Sequence, residues 1–129
     1  MFAEANKALV RRFFEAQAEG DLHALDEMMA SDFVDRSLLP GEEPHREGYM
    51  RSVIKDHAAF SDLRYIIEDQ LAVDDKVVSR ITINRIHDRE EFVSIAPTGR
   101  EFESTAIVIH RISDGRSLRS GAKGAVSKS

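Results

Sequence analysis

The chain contains no cysteine and no tryptophan, and it has three prolines and seven glycines among its 129 residues. The absence of cysteine excludes disulfides and thiolate zinc sites, and it is compatible with a reducing compartment. No apolar run reaches the roughly 18 residues that a transmembrane helix needs, so we expect no membrane partner. The N-terminal residues mix acids and bases without the apolar core of a signal peptide, which predicts a cytoplasmic protein.

Basic residues are outnumbered by acidic ones, which gives a formal net charge of -5. Nucleic-acid binding requires a basic face, so this balance argues against a nucleic-acid partner. The sequence also has no glycine-rich phosphate loop, no His/Cys metal spacing and no Gly-x-Ser-x-Gly elbow, and we therefore predict no metal site. With 42% hydrophobic and 32% charged residues, the composition is that of one soluble globular domain spanning residues 1–129.

The first half of the chain is predicted to be helical. Residues 3–19 carry an apolar stripe at helical spacing, and Gly20 stands where a helix-ending glycine belongs. Asp21 is the predicted N-cap of a second helix, whose buried stripe runs through Met29 before Asp32 closes it. The other predicted segments of this half are a short extended piece at 33–37, an exposed loop at 39–44, and a third helix at 46–60 whose buried face includes Ile54.

The second half is predicted to be an antiparallel sheet of three strands, at 65–73, 77–86 and 101–112. Asp74 and Asp75 form the turn between the first two strands. Alternation places Tyr65, Ile67, Leu71 and Val73 on one face of the first strand.

The third strand is apolar on both of its faces. Ala106 and Val108 share one face with His110, whereas Ile107 and Ile109 lie on the opposite face. A sheet covered by helices on one side needs apolar residues only on that side. The apolar outer residues therefore predict a second buried surface, and we expect a homodimer.

The order helix, helix, short strand, helix and long antiparallel meander resembles the nuclear transport factor 2-like superfamily. Local motifs are similar to those of its SnoaL-like polyketide cyclase group. The matching motifs are NKALVRRFF at 6–14, DFVD at 32–35, FSDLR at 60–64, EDQ at 68–70, DKVV at 75–78, PTGR at 97–100 and RISDGR at 111–116. None is specific alone, and the resemblance depends on their order and spacing.

The resemblance implies an α+β fold, a conical barrel in which a strongly curved, mostly antiparallel sheet wraps around the N-terminal helices. It also implies an apolar cavity that holds a small apolar oxygenated molecule. Characterised members of this family close a ring on a polyketide ester by an intramolecular aldol reaction. They use a side-chain acid/base and no metal or organic cofactor, so we expect no cofactor here.

The tail at 116–129 departs from the family pattern. Relatives continue with an apolar strand of the type Lys-Ile-Val-Glu-x-Trp, which leads to the aspartate that serves as acid/base. The tail of this chain has no tryptophan and no carboxylate side chain, so the matching aspartate is absent. Two alternatives for function follow, a cyclase with a relocated acid/base or a catalytically silent ligand-binding or dimerisation module. The tail itself is either a lesion in the sheet or a degenerate strand at 117–122.

Three residues are candidates for a relocated acid/base. His110 is a polar group on an apolar strand face, where it is either the catalytic imidazole or a hydrogen-bonded core histidine. His87 ends the second strand and either lines the mouth of the cavity or caps a turn. Asp35 follows Phe33 and Val34 on the short extended piece, where it either faces the ligand or belongs to a solvated turn.

Four further residues are candidates for binding the substrate. Arg36 is next to Asp35 and can position an ester or a carbonyl. Tyr49 and His57 lie on the apolar face of the third helix, where Tyr49 either donates a hydrogen bond to the ligand or packs in the core. Arg80 lies in the middle of a strand, and we expect it to be buried and paired with a carboxylate.

Overall fold

The computed structural model describes residues 2–36, 43–113 and 117–125. Most of the predicted loop at 39–44, and residues 114 and 115 of the turn in the RISDGR motif, lie outside these ranges. The helices are α1 (Ala3–Glu19), α2 (Leu22–Met28) and α3 (Arg46–Ala59). The strands are β1 (Met29–Asp35), β2 (Phe60–Val73), β3 (Lys76–His87), β4 (Glu101–Ser113) and β5 (Ser117–Ala125).

The five strands form one open sheet in the order β1-β5-β4-β3-β2. The pairing of β1 with β5 is parallel, and the other three pairings are antiparallel. The core lies between the helices and the inner face of this sheet, where Phe13 of α1, Phe33 of β1 and Ile81 of β3 are almost fully buried. The predicted α+β class and the mostly antiparallel sheet are confirmed. Within the described ranges, none of the helices combines the length and the hydropathy that crossing a membrane would demand.

The two N-terminal helices meet as predicted, but the second one ends early. Gly20 adopts a left-handed φ of 71°, and the Asp21 side chain accepts a hydrogen bond from the backbone N–H of Ala24. The prediction of helix through Met29 is wrong, because Met29 is extended and pairs with Leu118 of β5. Its side chain is buried either way, which is why the apolar spacing alone does not locate the boundary.

The boundary between α3 and β2 also differs from the prediction. Phe60 does not close the helix but begins β2, where it pairs with His87. Strand β2 therefore starts five residues before the predicted 65. Ile54, predicted on the buried face of α3, is 52% exposed.

A β-bulge reverses the predicted faces of the second half of β2. The register with β3 shifts between Ile67 and Asp69. One extra residue moves every following side chain to the opposite face. Leu71 and Val73 are therefore each 62% exposed, whereas Tyr65 packs against the core as predicted.

Arg80 is exposed, so the prediction that it is buried is wrong. It pairs with Ile107 of β4, which is itself 40% exposed on the outer face of the sheet. An arginine in the middle of a strand needs no buried carboxylate when its face is in water.

Of the two alternatives for the tail, the structure shows the degenerate strand. Strand β5 lies between β1 and β4 and pairs with both, and its Leu118 is completely buried. The backbone N–H of Arg36 donates to the carbonyl of Gly121 at 2.9 Å, which continues the contact between the two segments.

Candidate functional site

Three polar side chains meet between the helices and the sheet. Gln17 lies in the last turn of α1, Tyr49 on α3 and Tyr65 on β2, and each is partly buried. The Tyr49 hydroxyl donates to Gln17 Oε1 at 2.5 Å, and Gln17 Nε2 donates to the Tyr65 hydroxyl oxygen at 3.0 Å. We call these residues the Tyr–Gln–Tyr group.

The bonds of the Tyr–Gln–Tyr group run in one direction, which leaves a donor at its end. Tyr65 accepts from Gln17, so its own hydroxyl proton is not used within this group. Burial raises the pKa of Tyr49 well above its ordinary value, and burial likewise raises the pKa of Tyr65. Both phenols therefore stay protonated, and Tyr65 can donate to an oxygen of a bound molecule.

Charged residues lie next to this group. The pKa of Tyr49 is raised by burial first, and further by Tyr65 and the carboxylates of Asp35 and Asp56. Asp56 on α3 also raises the pKa of Tyr65, whereas Arg85 on β3 lowers it. Asp56 thus acts on both phenols, while Asp35 acts on Tyr49.

Arg85 points to the inner face of the sheet beside three aromatic side chains. Its guanidinium carbon lies 4.4 Å from the ring centre of Phe102 and 5.2 Å from that of Phe60. The Phe92 ring lies 5.0 Å from Phe60. We call Phe60, Phe92 and Phe102 the phenylalanine cluster. Phe102 is 38% exposed, whereas Arg85 is partly buried and its Nε is fully buried.

His110 is buried beneath α1. Its ring makes edge contacts with Phe13 at 5.7 Å and Phe14 at 5.6 Å, and its Nδ1 has no hydrogen-bond partner among the described residues. Burial lowers the pKa of His110 to about 4, so the ring is neutral at pH 7. Gly121 of β5 faces it, and a Cβ there would lie 3.2 Å from His110 Cδ2. These contacts place His110 in the core, separated from Tyr65 by the Phe14 ring, which stacks on Tyr65 at 5.6 Å.

His87 is also buried, and its Nε2 lies 2.8 Å from the carbonyl oxygen of Glu90. Its ring packs against Phe60 at 5.0 Å, so His87 lies next to the phenylalanine cluster and holds the start of the loop after β3. Its geometry fits the turn-capping alternative.

The remaining predicted residues are dispersed. Asp35 is half-buried at the end of β1. It aligns with Gly121 of β5, and Gly121 aligns on its other side with His110 of β4. Arg36 is exposed. His57 lies 2.9 Å from the backbone carbonyl of Gln17 and so supports the end of α1 rather than offering a group to a ligand. Tyr49 is the one predicted binding residue that belongs to the Tyr–Gln–Tyr group.

Sequence reasoning missed Gln17, Tyr65, Asp56 and Arg85 as site residues. Tyr65 lies on the face that alternation predicts, where it is a polar group in an apolar pattern. Arg85 has the same parity as Ile81 and Ile83 on β3, so extending that alternation to the strand end predicts its inward direction.

A separate cleft lies on the surface beside α3. It has a volume of about 650 Å³ and opens widely to solvent, and its lining includes Asp26, Glu43 and Arg46. None of the predicted site residues lines it. Among the described residues, no cluster of three or more His, Asp or Glu side chains is arranged to hold a metal ion.

Comparison with known proteins agrees with the fold. The model of the family described as SnoaL-like polyketide cyclase matches residues 7–118. Beyond residue 118 lies most of β5, the part of the tail that departs from the family pattern. No curated protein matches the chain.

Solved structures from Streptomyces have the same fold. TsrD from Streptomyces laurentii is 24% identical, with a TM-score of 0.83 over 95% of this chain and 88% of that chain. IdmH from Streptomyces antibioticus, a proposed polyketide cyclase, is 27% identical, with a TM-score of 0.80 over 93% and 91%. AclR from Streptomyces galilaeus, a proposed hydroxylase, is 24% identical, with a TM-score of 0.80 over 94% and 88%. Because these neighbours are described by different activities, the likeness identifies the fold and not the reaction.

Proposed function

Because the chain belongs to the SnoaL-like polyketide cyclase family, we propose that it binds a small, apolar, oxygenated molecule between the sheet and the helices. We further propose that it acts on this molecule by side-chain acid–base chemistry, as an intramolecular aldol cyclase does. The observation that carries the proposal is the Tyr–Gln–Tyr group, a hydrogen-bonded chain that ends in the available proton of Tyr65.

The reaction requires a base, a donor to the developing oxyanion and a means of folding the substrate. A base removes a proton from the carbon next to a carbonyl, and the resulting enolate carbon bonds to a second carbonyl carbon of the same molecule. The oxygen of that second carbonyl then takes the proton back, so no external reagent is consumed. In this proposal Tyr65 donates to the enolate oxygen, and the apolar residues packed around it exclude water; its hydrogen bond to Gln17 and its contact with the core support this role.

Asp56 is the carboxylate that we assign as the base. The matching family aspartate is absent, and β5 contains no carboxylate among its described residues. Asp56 acts electrostatically on Tyr49, Tyr65 and Arg85, whereas Asp35 is coupled to Tyr49. We therefore assign the base to the carboxylate that acts on all three groups, and Asp35 is the alternative.

Exchange of α-protons tests this chemistry without the natural substrate. We expect the protein to accelerate the exchange of the α-protons of 2-tetralone in D₂O above the buffer rate, as measured by proton NMR. Tyr65→Phe removes the donor but keeps the ring, and about 100-fold of the acceleration should be lost. Asp56→Asn should cost about 100-fold or more, whereas Asp35→Asn should cost little.

Glu15→Gln, an exposed change on α1, is the matched control and should exchange like the wild type. If Asp35→Asn loses the acceleration and Asp56→Asn keeps it, the base is assigned wrongly. If 2-tetralone raises the melting temperature but exchanges at the buffer rate, the chain is the catalytically silent binding module and the enzyme proposal fails.

We also propose that the outer face of the sheet forms a homodimer. Leu71, Val78 and Ile109 align across three neighbouring strands on this face, and the two outer ones are 62% and 41% exposed. Ile66 and Ile107 extend the apolar area. A two-fold axis brings the same surface of each protomer together, so one such area is sufficient for both sides of an interface.

The dimer is testable by one substitution. Light scattering after gel filtration should give twice the mass of 14.5 kDa for the wild type, and Ile109→Glu should give the monomer mass because it places a carboxylate in the apolar row. Ile54→Glu, at a similarly exposed isoleucine on α3, is the control and should stay dimeric. A monomeric wild type at micromolar concentration contradicts the proposal.

A further inference from the structure

The guanidinium of Arg85 has a buried hydrogen-bond donor that no described residue uses. Its Nη1 donates to Ser104 Oγ at 3.2 Å, and its Nε has no hydrogen-bond partner in the part of the chain that the structure describes. In a guanidinium, Nε and Nη2 form the edge that pairs with both oxygens of a carboxylate. Ser104 thus holds the group by one corner, and the buried Nε is left without an acceptor among the described residues.

The phenylalanine cluster fixes the plane and the position of this guanidinium. Arg85 aligns with Phe102 on the neighbouring strand, and the guanidinium also contacts the ring of Phe60. Contact with aromatic faces stabilises a cation while leaving its hydrogen-bond donors unused. A buried N–H without an acceptor is destabilising, so an acceptor supplied by a ligand would stabilise the Arg85 side chain.

Arg85 belongs to the same space as the Tyr–Gln–Tyr group. Tyr65 aligns with Ile83, and Ile83 aligns with Ser104, so the phenol and the residue that holds Arg85 lie in one row on the inner face. The charge of Arg85 acts on the Tyr65 hydroxyl. A substituent on a molecule whose carbonyl accepts from Tyr65 can therefore extend along this row toward Arg85.

We propose that the molecule bound here carries a carboxylate, which pairs with the Nε edge of Arg85 while its apolar body packs on the ring of Phe102. This inference rests on the proposed function, because it names the chemical class of that site's ligand: a compact apolar carboxylic acid with a carbonyl. An ester or amide offers only neutral acceptors, which pair less strongly with a guanidinium than a carboxylate does.

Two probes that differ only in charge test the carboxylate. By titration calorimetry, the wild-type protein should bind 2-naphthoate at least tenfold more tightly than 2-naphthamide, which is equivalent to about 1.4 kcal/mol. Arg85→Met keeps an apolar side chain against Phe102, so it should lower the affinity for 2-naphthoate to that for 2-naphthamide and leave the amide unchanged. Arg85→Lys keeps the charge but not the two-donor edge, and it should lie between these values.

Arg64→Met is the control, because Arg64 is an exposed arginine whose nearest carboxylates are 3.6 and 3.7 Å away. It should bind both probes like the wild type. Equal affinity of the wild type for the two probes overturns the carboxylate inference and leaves the proposed function standing. If neither probe binds at millimolar concentration, the carboxylate inference is overturned. The proposed function is tested separately, and it fails if the protein does not accelerate exchange with 2-tetralone. If Arg85→Met does not fold, the carboxylate inference is decided by the ratio of the wild-type affinities for the two probes and by the affinities of Arg85→Lys.

Discussion

Deletion of residues 117–129 is expected to abolish cooperative unfolding, because the deleted segment supplies an internal strand of the sheet. Strand β5 has neighbours on both sides, parallel β1 and antiparallel β4. Its removal leaves the edges of β1 and β4 unpaired, and it opens the core by removing the fully buried Leu118. Circular dichroism should show a broad thermal transition without a sharp midpoint.

Two point variants measure how much individual side chains of β5 contribute to stability when the strand itself is kept. Leu118→Ala should cost about 2–5 kcal/mol of unfolding free energy, because it leaves a cavity at a completely buried position. Arg119→Ala should change the stability by less than about 1 kcal/mol, since the side chain is exposed and its contact with Asp32 is 3.4 Å long. An unchanged melting temperature after the deletion would show that β5 contributes nothing.

The composition of β5 explains why the sequence did not predict it firmly. Glycine, alanine, serine and lysine are poor strand formers, and Leu118 is the large apolar side chain of the segment. The strand exists because two neighbours offer it hydrogen bonds, which is information from distant parts of the chain. One of its small residues also has a local reason, since Gly121 leaves room for the ring of His110.

Other elements were predictable to the extent that local chemistry decided them. The left-handed glycine at Gly20 and the cap at Asp21 are local signals, and both hold. The bulge after Ile67 is not local, because it is defined by the register against β3. Without it, alternation assigns Leu71 and Val73 to the core, and the apolar area of the outer face is underestimated.

The site residues also divide into those that local alternation predicts and those that it does not. Arg80 and Arg85 are both arginines within β3, and their difference in parity places Arg80 in water and Arg85 against the phenylalanine cluster. The alternation of the strand contained this distinction. By contrast, the meeting of Gln17 with Tyr49 and Tyr65 joins three separate elements, and no spacing in the sequence predicts which partners a buried amide finds.

His110 should make the folded protein lose stability as the pH falls from about 6.5 to about 4. Burial lowers the pKa of His110 to about 4 in the folded chain, whereas an unfolded histidine titrates near about 6.5. In this interval the unfolded state binds a proton that the folded state does not, so stability rises with pH and falls on acidification. The loss should be about 3 kcal/mol by pH 4, measured by urea unfolding at a series of pH values.

The His110→Leu variant isolates this contribution from that of the carboxylates, which titrate in the same range. Leucine is apolar and has no counterpart of the unpaired Nδ1, so the variant should fold and lack about 3 kcal/mol of the wild-type pH dependence. His23→Gln, at a histidine whose side chain is 84% exposed, should keep the wild-type dependence. An identical pH dependence in His110→Leu and the wild type would contradict the neutral buried imidazole. The same variant decides the role of His110. If His110 is a core residue, His110→Leu should still exchange α-protons. If the folded variant loses the exchange, the imidazole is the acid/base.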